Sequence, residues 1–323
     1  MRAVTTTGAG EIDVLRLSDL PIPEPGPGEI RLKTVAAGVN RADLMQRRGF
    51  YPPPPGASEV IGLEVAGAVD AVGEGVTEWR RGAPAAAIVT GGGYAEFVVA
   101  PAGQCLPPPP GLDLVEAAAV VEVAATVVSN LDEAGLAAGQ TLLVHGGAGG
   151  VGSFAIPYAK ALGARVLTTV GSPAKADYVR GLGADVALDY HDDWPARILE
   201  VTRARGCDVI LDIMGAKYVG DNIAALARRG RLIVIGLQGG RRGAVDLNAM
   251  LTKNAVVTAT SLRLRPAQEK AAIMRSVEAK VWPLFASGAV RVPPLTRFPV
   301  TEVAQAHVCL ESGEHIGKVV LTF

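Results

Sequence analysis

Leu142-Leu143-Val144-His145-Gly146-Gly147-Ala148-Gly149-Gly150-Val151-Gly152 is the stretch that decides the fold, because it reads as a buried strand running into a glycine turn. Apolar residues at helical spacing follow from Ser153 to Leu162, so a helix begins at the turn. The strand before and the helix after are the context that the pattern G-x-G-x-x-G requires. Such a backbone bends sharply and lies close to a pyrophosphate, with a helix N-terminus aimed at the charge. In a chain with 39 glycines the pattern alone would indicate only a loose loop. In this context it predicts a dinucleotide-binding turn formed by Gly147, Ala148, Gly149, Gly150, Val151 and Gly152.

Strands and helices alternate around this turn, from residue 139 to residue 261. The short Val/Ile/Leu runs are typical of parallel strands buried on both faces; they lie at 141–145, 165–170, 185–189, 209–213, 231–237 and 256–261. The fold class is therefore α/β, with a doubly wound parallel sheet of Rossmann type. The first 110 or so residues are instead rich in predicted strands (30–35, 64–72 and 94–99) between Pro/Gly turns. A long helix is predicted from Leu114 to Glu133, and the final strand, 318–323, could return to the first domain.

Composition limits the function. With 323 residues the chain is long for one core, so two domains are expected. A net charge of -1 without a basic run makes nucleic acid and anionic membranes unlikely partners. The N-terminus carries no secretory signal, and no apolar stretch is expected to approach bilayer length. Three dispersed cysteines indicate neither disulfides nor a thiolate zinc site. A soluble, cytoplasmic protein is expected.

The end of the second strand of the dinucleotide unit indicates which cofactor binds. Units that prefer NAD place an Asp or Glu there, which binds the ribose 2'-hydroxyl. Residues 168–175 contain no carboxylate and instead offer the Ser172 hydroxyl and the Lys175 cation. This combination favours a 2'-phosphate and hence NADPH. The alternatives are that Ser172 caps a helix before Pro173 and that Lys175 is an ordinary solvated lysine.

At this point the chain resembles the zinc-free quinone oxidoreductases of the medium-chain dehydrogenase/reductase superfamily, in particular the ζ-crystallin and tumour-suppressor-inducible branch. The resemblance spans nearly the whole chain, and its most specific stretch runs from Gly38 to Pro54. Further matches are 62–67, 145–152, 171–172, 236–237 and 260–263. An asparagine-tyrosine pair of the family appears here as Asp189-Tyr190, which departs from the pattern but keeps the tyrosine.

The resemblance implies a GroES-like, β-rich catalytic domain beside the Rossmann domain, with the active site in the cleft between them. The implied boundaries are 1–122 for the catalytic domain, 123–262 for the NADPH-binding domain and 263–323 for a return to the catalytic domain. The implied cofactor-binding residues beyond the glycine turn are Gly171, Ser172, Lys175, Tyr190, Leu237, Leu262 and Arg263. Asn40 and Tyr51 would face the substrate, and Thr126 matches a threonine near the nicotinamide. Met45 stands where some relatives carry a second active-site tyrosine, so a proton donor is not expected there.

No metal site is expected. Zinc-dependent relatives place a Cys at the position of Asn40 and a His at that of Leu63, and neither residue here suits the usual zinc site. Without a metal, the chemistry must suit hydride delivery alone, and quinones are electrophilic enough to accept it. Asn40 could donate a hydrogen bond to a quinone oxygen, and Tyr51 could donate or stack. The alternatives are that Asn40 stabilises a turn and that Tyr51 packs on the proline loop.

Three functions follow from these observations. The first is NADPH-dependent reduction of small quinones, by hydride or stepwise electron transfer. The second is a zinc-free enoyl or alkenal reductase acting on α,β-unsaturated carbonyls. The third is a non-enzymatic protein, binding NADPH or RNA as a crystallin-like relative would. A homodimer is also expected, because the predicted strand 256–261 would leave an exposed sheet edge that relatives pair across a two-fold axis.

Overall fold

The computed structural model describes all residues from 1 to 323, and the chain divides into two compact units. Unit one consists of Met1–Ala125, Leu262–Gly288 and Val292–Phe323. Unit two consists of Thr126–Ser261 with Ala289–Arg291. The chain therefore enters and leaves unit two and finishes within unit one.

The first segment of unit one is mostly strand. Its elements are β1 (Arg2–Thr6), β2 (Leu15–Asp19), β3 (Glu29–Val39), α1 (Arg41–Arg47), β4 (Glu64–Val72), β5 (Pro84–Ile88), β6 (Phe97–Pro101) and β7 (Cys105–Leu106). The predicted strands 30–35 and 64–72 fall within β3 and β4. The strand predicted at 94–99 is wrong at its start, because β6 begins only at Phe97 and Tyr94 is a fully buried residue before it.

Unit two contains the alternating pattern. After α2 (Leu114–Ala134), which begins in unit one, come β8 (Thr141–Val144), α3 (Gly150–Ala161), β9 (Arg165–Val170), α4 (Pro173–Gly181), β10 (Val186–Asp189), α5 (Trp194–Val201), β11 (Cys207–Asp212), α6 (Val219–Ala225), β12 (Leu226–Val234), α7 (Leu247–Lys253) and β13 (Val256–Ala259). The six strands are all parallel, in the order β10-β9-β8-β11-β12-β13. This is the strand order of a doubly wound dinucleotide-binding sheet, so the predicted fold class is confirmed.

The last segment completes unit one. It contains α8 (Ala267–Ala286), β14 (Leu295–Pro299), α9 (Val303–Ser312) and β15 (Lys318–Thr322). In the seven-stranded sheet β15 lies between β14, to which it is parallel, and β3, to which it is antiparallel. The final strand therefore does return to the first unit. Val319 pairs with Val39, the last residue of β3, so Lys318 lies next to the end of that strand.

Helix α2 corrects one expectation from the sequence. Its 21 residues have a mean hydropathy of 1.7 over an 18-residue window, which is long and apolar enough to cross a membrane. The expectation that no apolar stretch approaches this length is therefore wrong. In the structure 67% of that window is buried against the rest of the protein, as in the core helix of a soluble protein. Its apolar surface is thus used for packing.

Candidate functional site

The carboxyl ends of β8 and β11 mark where the strand order of unit two reverses direction. From β8 the chain proceeds outward to β9 and β10 on one side, then returns to β11 and beyond on the other. Ligands of open α/β sheets bind in the crevice outside such a switch point. The glycine turn follows β8 directly, and the first-turn N–H groups of α3 point out of its N-terminus without partners inside the helix. This end of the sheet is therefore an anion-binding edge.

Gly147 and Gly152 leave no room for a side chain. A Cβ at Gly152 would lie 2.5 Å from both the Gly146 carbonyl oxygen and the Gly147 Cα, which are backbone atoms of the turn itself. A Cβ at Gly147 would collide with the Thr168 hydroxyl on β9. A Cβ at Gly149 would meet only the Gly146 carbonyl oxygen, at an ordinary 3.5 Å. Of these three glycines, only Gly149 has room beside it for a side chain.

The sharp bend lies one residue earlier than the G-x-G-x-x-G pattern suggests. Gly146 has φ +72°, whereas Gly147 and Gly149 do not adopt the left-handed conformation. A Cβ at Gly146 would also lie 2.6 Å from the Ile213 Cδ1. Gly146 therefore makes the sharp bend just before the predicted turn, and Gly149 caps α3 with an extended backbone.

His145 anchors the base of this turn. Its Nδ1 pairs with the Thr169 hydroxyl at 3.0 Å, its Nε2 pairs with Asn222 Oδ1 at 2.7 Å, and its ring meets Trp194 and Tyr218 edge-on. Burial lowers the pKa of His145 to about 4, and the bond to Asn222 offsets this only in part. The histidine is therefore a neutral packing residue, as the sequence suggested.

We expect the pH dependence of stability to report this burial. Because the pKa of His145 in the folded protein, about 4, lies below its usual 6.5, the unfolded chain binds the proton more tightly. Its contribution is complete above pH 6.5 and is lost as the pH falls toward 4. Urea unfolding at pH 7 and 4.5 should show the free energy of unfolding falling by about 2–3 kcal/mol more in wild type than in His145→Gln. Equal pH slopes for the two proteins would contradict the assignment.

The end of β9 carries the predicted phosphate-facing residues. Ser172 caps α4, accepting the backbone N–H of Lys175 at 3.4 Å, and Pro173 begins the helix. The Ser172 cap is the local role that the sequence left open, and its hydroxyl still lies at a helix N-terminus. The Tyr190 hydroxyl fills the space that a side chain at Gly171 would occupy. Gly171, Ser172, Lys175 and Tyr190 thus gather at the carboxyl ends of β9 and β10.

One carboxylate, Asp189, lies beside this group at the end of β10. Its Oδ1 accepts the His191 backbone N–H at 2.9 Å and pairs with His191 Nδ1 at 2.6 Å. These bonds hold the pKa of Asp189 below its usual range, so it is anionic and is committed to its own loop. No acidic residue occupies 168–175, where a ribose-binding carboxylate is expected.

Leu237 and Thr126 also belong to unit two. Leu237 follows β12 and is 45% exposed. Thr126 is buried in α2, where its carbonyl oxygen accepts a hydrogen bond from Asn130 Nδ2 at 2.7 Å. Asn130 Oδ1 in turn accepts from the Thr260 hydroxyl at 2.6 Å, which ties α2 to the segment after β13.

Asn40 lies in unit one, where β3 passes into α1. Its backbone N–H donates to Asp43 Oδ2 at 2.7 Å, and its carbonyl accepts from the Asp43 N–H at 3.0 Å, which fixes the start of α1. Its side-chain Nδ2 donates to Glu64 Oε1 at 2.8 Å, and its Oδ1 accepts from Lys318 Nζ. Both ends of the amide are therefore held by buried charges.

Asp43 and Tyr94 extend this network. The Tyr94 hydroxyl donates to Asp43 Oδ2 at 2.8 Å, and both side chains are fully buried. Burial raises the pKa of Asp43 to about 7, against the lowering effect of its hydrogen bonds from Asn40 and Tyr94. Burial, followed by the charge of Asp43, raises the pKa of Tyr94 as well, so the phenol stays protonated and donates.

Arg263 binds Tyr51 within unit one. Its guanidinium donates to the Thr90 carbonyl at 2.8 Å and to the Tyr51 carbonyl at 3.2 Å, and it lies over the Tyr51 ring, 5.1 Å from the centroid. The side chain is 5% exposed. The guanidinium therefore binds Thr90 and Tyr51. These contacts indicate a structural role for this side chain in unit one, in addition to the cofactor-binding role that the resemblance implies. Leu262 beside it is half-buried and lines a small cavity with Leu63 and Lys270.

Sequence reasoning missed Glu64 and Lys318, which determine the setting of Asn40. Each is the charged first residue of a strand that continues with apolar residues, Glu64 before Val65-Ala66 in β4 and Lys318 before Val319-Val320 in β15. A charge in a buried strand needs a partner, and that need was the available signal. No group of three or more His, Cys, Asp or Glu side chains is placed to hold a metal ion.

Two families of known proteins match the two parts of the chain. The family described as Alcohol dehydrogenase GroES-like domain matches residues 26–110, and the family described as Zinc-binding dehydrogenase matches residues 150–278. A quinone oxidoreductase of Pseudomonas aeruginosa is 34% identical over 316 residues, which cover 97% of this chain and 96% of that protein. The chain belongs to the medium-chain dehydrogenase/reductase superfamily. The superfamily and its two predicted domain types are thereby confirmed.

Solved structures of this superfamily agree. A mycobacterial protein complexed with NADPH is 34% identical and has a TM-score of 0.90, and an Escherichia coli quinone oxidoreductase complexed with NADPH is 27% identical with a TM-score of 0.89. Each covers 100% of this chain and is itself covered completely. CurK enoyl reductase, 23% identical with a TM-score of 0.88, shares the fold.

Proposed function

We propose that this protein is an NADPH-dependent quinone oxidoreductase that works without a metal. The observation that carries the proposal is the match to the Pseudomonas aeruginosa quinone oxidoreductase, which extends over nearly the full length of both proteins. The two similar structures described as complexed with NADPH support the choice of cofactor. Asn40 and Leu63 at the usual positions of zinc ligands agree with hydride chemistry that uses no Lewis acid.

The residues of unit two suit NADPH. The pyrophosphate belongs at the turn 147–152, where Gly149, unlike Gly147 and Gly152, is not crowded by the protein and the α3 N–H groups supply donors. The 2'-phosphate belongs at Gly171, Ser172 and Lys175, with Tyr190 beside them, and the nicotinamide half belongs near Leu237 and Thr126. When bound there, NADPH would supply a hydride to an electrophilic ring or alkene.

Residues of unit one suit the acceptor. Asn40 Nδ2 has a second N–H beyond the one given to Glu64, and this can donate to a quinone oxygen. Tyr51 can donate through its hydroxyl or stack, and Arg263 fixes its backbone and ring. These residues orient the acceptor. The hydride supplies two electrons and one hydrogen, and one proton from water completes the hydroquinone.

Steady-state oxidation of NADPH with a panel of ortho- and para-quinones tests the function. We expect turnover with several small quinones, and turnover with α,β-unsaturated ketones and aldehydes only at a lower rate. Turnover of enones without quinones would establish the alternative, a zinc-free enoyl or alkenal reductase. Salt-sensitive RNA binding in a filter assay without any reductase activity would establish the non-enzymatic alternative.

The cofactor preference gives a separate prediction. Lys175→Ala should raise the Michaelis constant for NADPH by about tenfold and change that for NADH by less than about twofold, because only NADPH carries the 2'-phosphate. Arg180→Ala is the matched control, since Arg180 lies on the same helix and pairs only with the exposed Asp177. An equal change for both cofactors in Lys175→Ala would show that the lysine does not read the phosphate.

A homodimer and a cytoplasmic location complete the proposal. β13 is the edge strand of the six-stranded sheet, and its first residue, Val256, is 39% exposed. Exposed edges of this kind are commonly covered, and an isologous pairing of two β13 strands would do so. Light scattering should give twice the chain mass of 33.3 kDa, and a monomer would rule out the pairing.

A further inference from the structure

The amide of Asn40 is held in one orientation by a buried ion pair. Lys318 Nζ donates to Asn40 Oδ1, and Asn40 Nδ2 donates to Glu64 Oε1. Lys318 and Glu64 also pair directly, with Nζ and Oε1 2.6 Å apart. The three side chains therefore close a triangle of hydrogen bonds in unit one.

This triangle excludes the flipped amide. A flip of Asn40 would turn its carbonyl oxygen toward the Glu64 carboxylate and its NH₂ group toward the Lys318 ammonium. An acceptor would then face an acceptor and a donor would face a donor inside the protein, where unpaired polar groups are costly. The Lys318–Glu64 pair thus fixes the direction in which the NH₂ group of Asn40 points.

The Lys318–Glu64 pair is buried, and its polar atoms have hydrogen-bond partners. Lys318 is 3% exposed and Glu64 is fully buried, and Glu64 Oε2 accepts the backbone N–H of Glu122 at 3.0 Å. Gly38 leaves the room that Glu64 occupies, because a Cβ there would collide with its carboxylate. Glu64 is therefore saturated, and Asn40 is the one member of the triangle that is only partly buried.

We propose that Lys318, with Glu64, is a positioning device for Asn40 that directs its second Nδ2 proton to a carbonyl oxygen of the substrate. The ligand class is a quinone or another conjugated carbonyl compound. The ammonium on Oδ1 also polarises the amide, which strengthens Asn40 as a donor to an oxygen that gains negative charge during reduction. This inference rests on the proposed function, since it assigns a substrate contact to the same site.

A double-mutant cycle tests the inference. Asn40→Ala should lower kcat/KM for the quinone about 30-fold, and Lys318→Met should lower it to a similar extent. Combining them should add less than about threefold, because Lys318 acts through Asn40. The Kd for NADPH should stay within about twofold in every variant, since neither residue belongs to unit two. Lys318→Arg, which keeps a donor for Oδ1, should recover part of the activity.

Two further variants keep the test decisive if Lys318→Met does not fold. Glu64→Gln with Lys318→Met removes both charges and keeps one acceptor oxygen, so the unpaired carboxylate is avoided although Asn40 and the Glu122 N–H no longer each have an oxygen of their own. It should replace Lys318→Met in the cycle. Lys253→Met is the matched control, because this lysine donates to three carbonyls of unit two (Ile223, Ala224 and Leu226), whereas Asn40 belongs to unit one. It should leave quinone kinetics unchanged.

The outcomes separate the inference from the function. Multiplicative losses in the cycle, or a weakened Kd for NADPH, would overturn the positioning role while the quinone activity stands. If wild type reduces enones but no quinone, the proposed function is wrong, and the same cycle on the enone decides the inference. If Asn40→Ala has no effect on any carbonyl substrate, the assignment of Asn40 to the substrate fails, and the positioning role fails with it.

Discussion

Gly152→Ala should weaken NADPH binding by about 100-fold or more, since the new methyl group meets only backbone that cannot turn aside. Its Cβ would lie 2.5 Å from the Gly146 oxygen and the Gly147 Cα, so the turn must move away from the phosphate position. Overpacking of this kind also costs about 1–3 kcal/mol of stability. Fluorescence titration of NADPH and urea unfolding measure the two effects.

Two other glycines serve as controls for this substitution. Gly220→Ala in α6 meets nothing within 4 Å, so it should raise stability by up to about 1 kcal/mol and leave NADPH binding unchanged. Gly149→Ala meets only one atom at 3.5 Å, so the fold should tolerate it while binding is lost to the crowded phosphate position. If Gly149→Ala binds NADPH normally, the pyrophosphate does not lie over this residue.

The second large effect concerns the buried pair of unit one. Lys318→Met should lower the free energy of unfolding by about 3–5 kcal/mol, because it leaves the fully buried Glu64 without its cation. Glu64→Gln combined with Lys318→Met should recover most of that loss, since a neutral amide is cheaper to bury than an unpaired carboxylate. Urea unfolding of both variants at pH 7 measures the difference. If the double variant is no more stable than the single one, packing of the lysine stem, and not its charge, dominates.

Local features of the fold were predictable from sequence. The strand, turn and helix at 141–161 involve neighbouring residues, so their pattern survives folding unchanged. β5 was not predicted, because Ala85-Ala86-Ala87 has no β-branched residue and becomes a strand only through pairing with β4 and β7. Burial and strand pairing, which are tertiary effects, decide such segments.

The candidate site divides in the same way. Gly152 and Ser172 could be assigned from the sequence because each acts on its own turn or helix. The Lys318–Glu64 pair joins residues 254 positions apart, and Arg263 reaches back 212 positions to Tyr51. The sequence pattern shows that each charge needs a partner but not which partner the sheet will bring to it. The left-handed Gly146 lies one residue before the G-x-G-x-x-G pattern, so the pattern does not include it.

The position of β15 between β3 and β14 has a consequence for synthesis on the ribosome. Unit two is complete once residue 291 has emerged, whereas β14 has no strand to join it to β3 until β15 follows, at residues 318–322. Until then Glu64 has no ammonium beside it, and the edge of β3 is unpaired along residues 36–39. A nascent chain that has not yet made β15 should therefore expose an unpaired strand edge, which a chaperone would have to shield from a neighbouring chain.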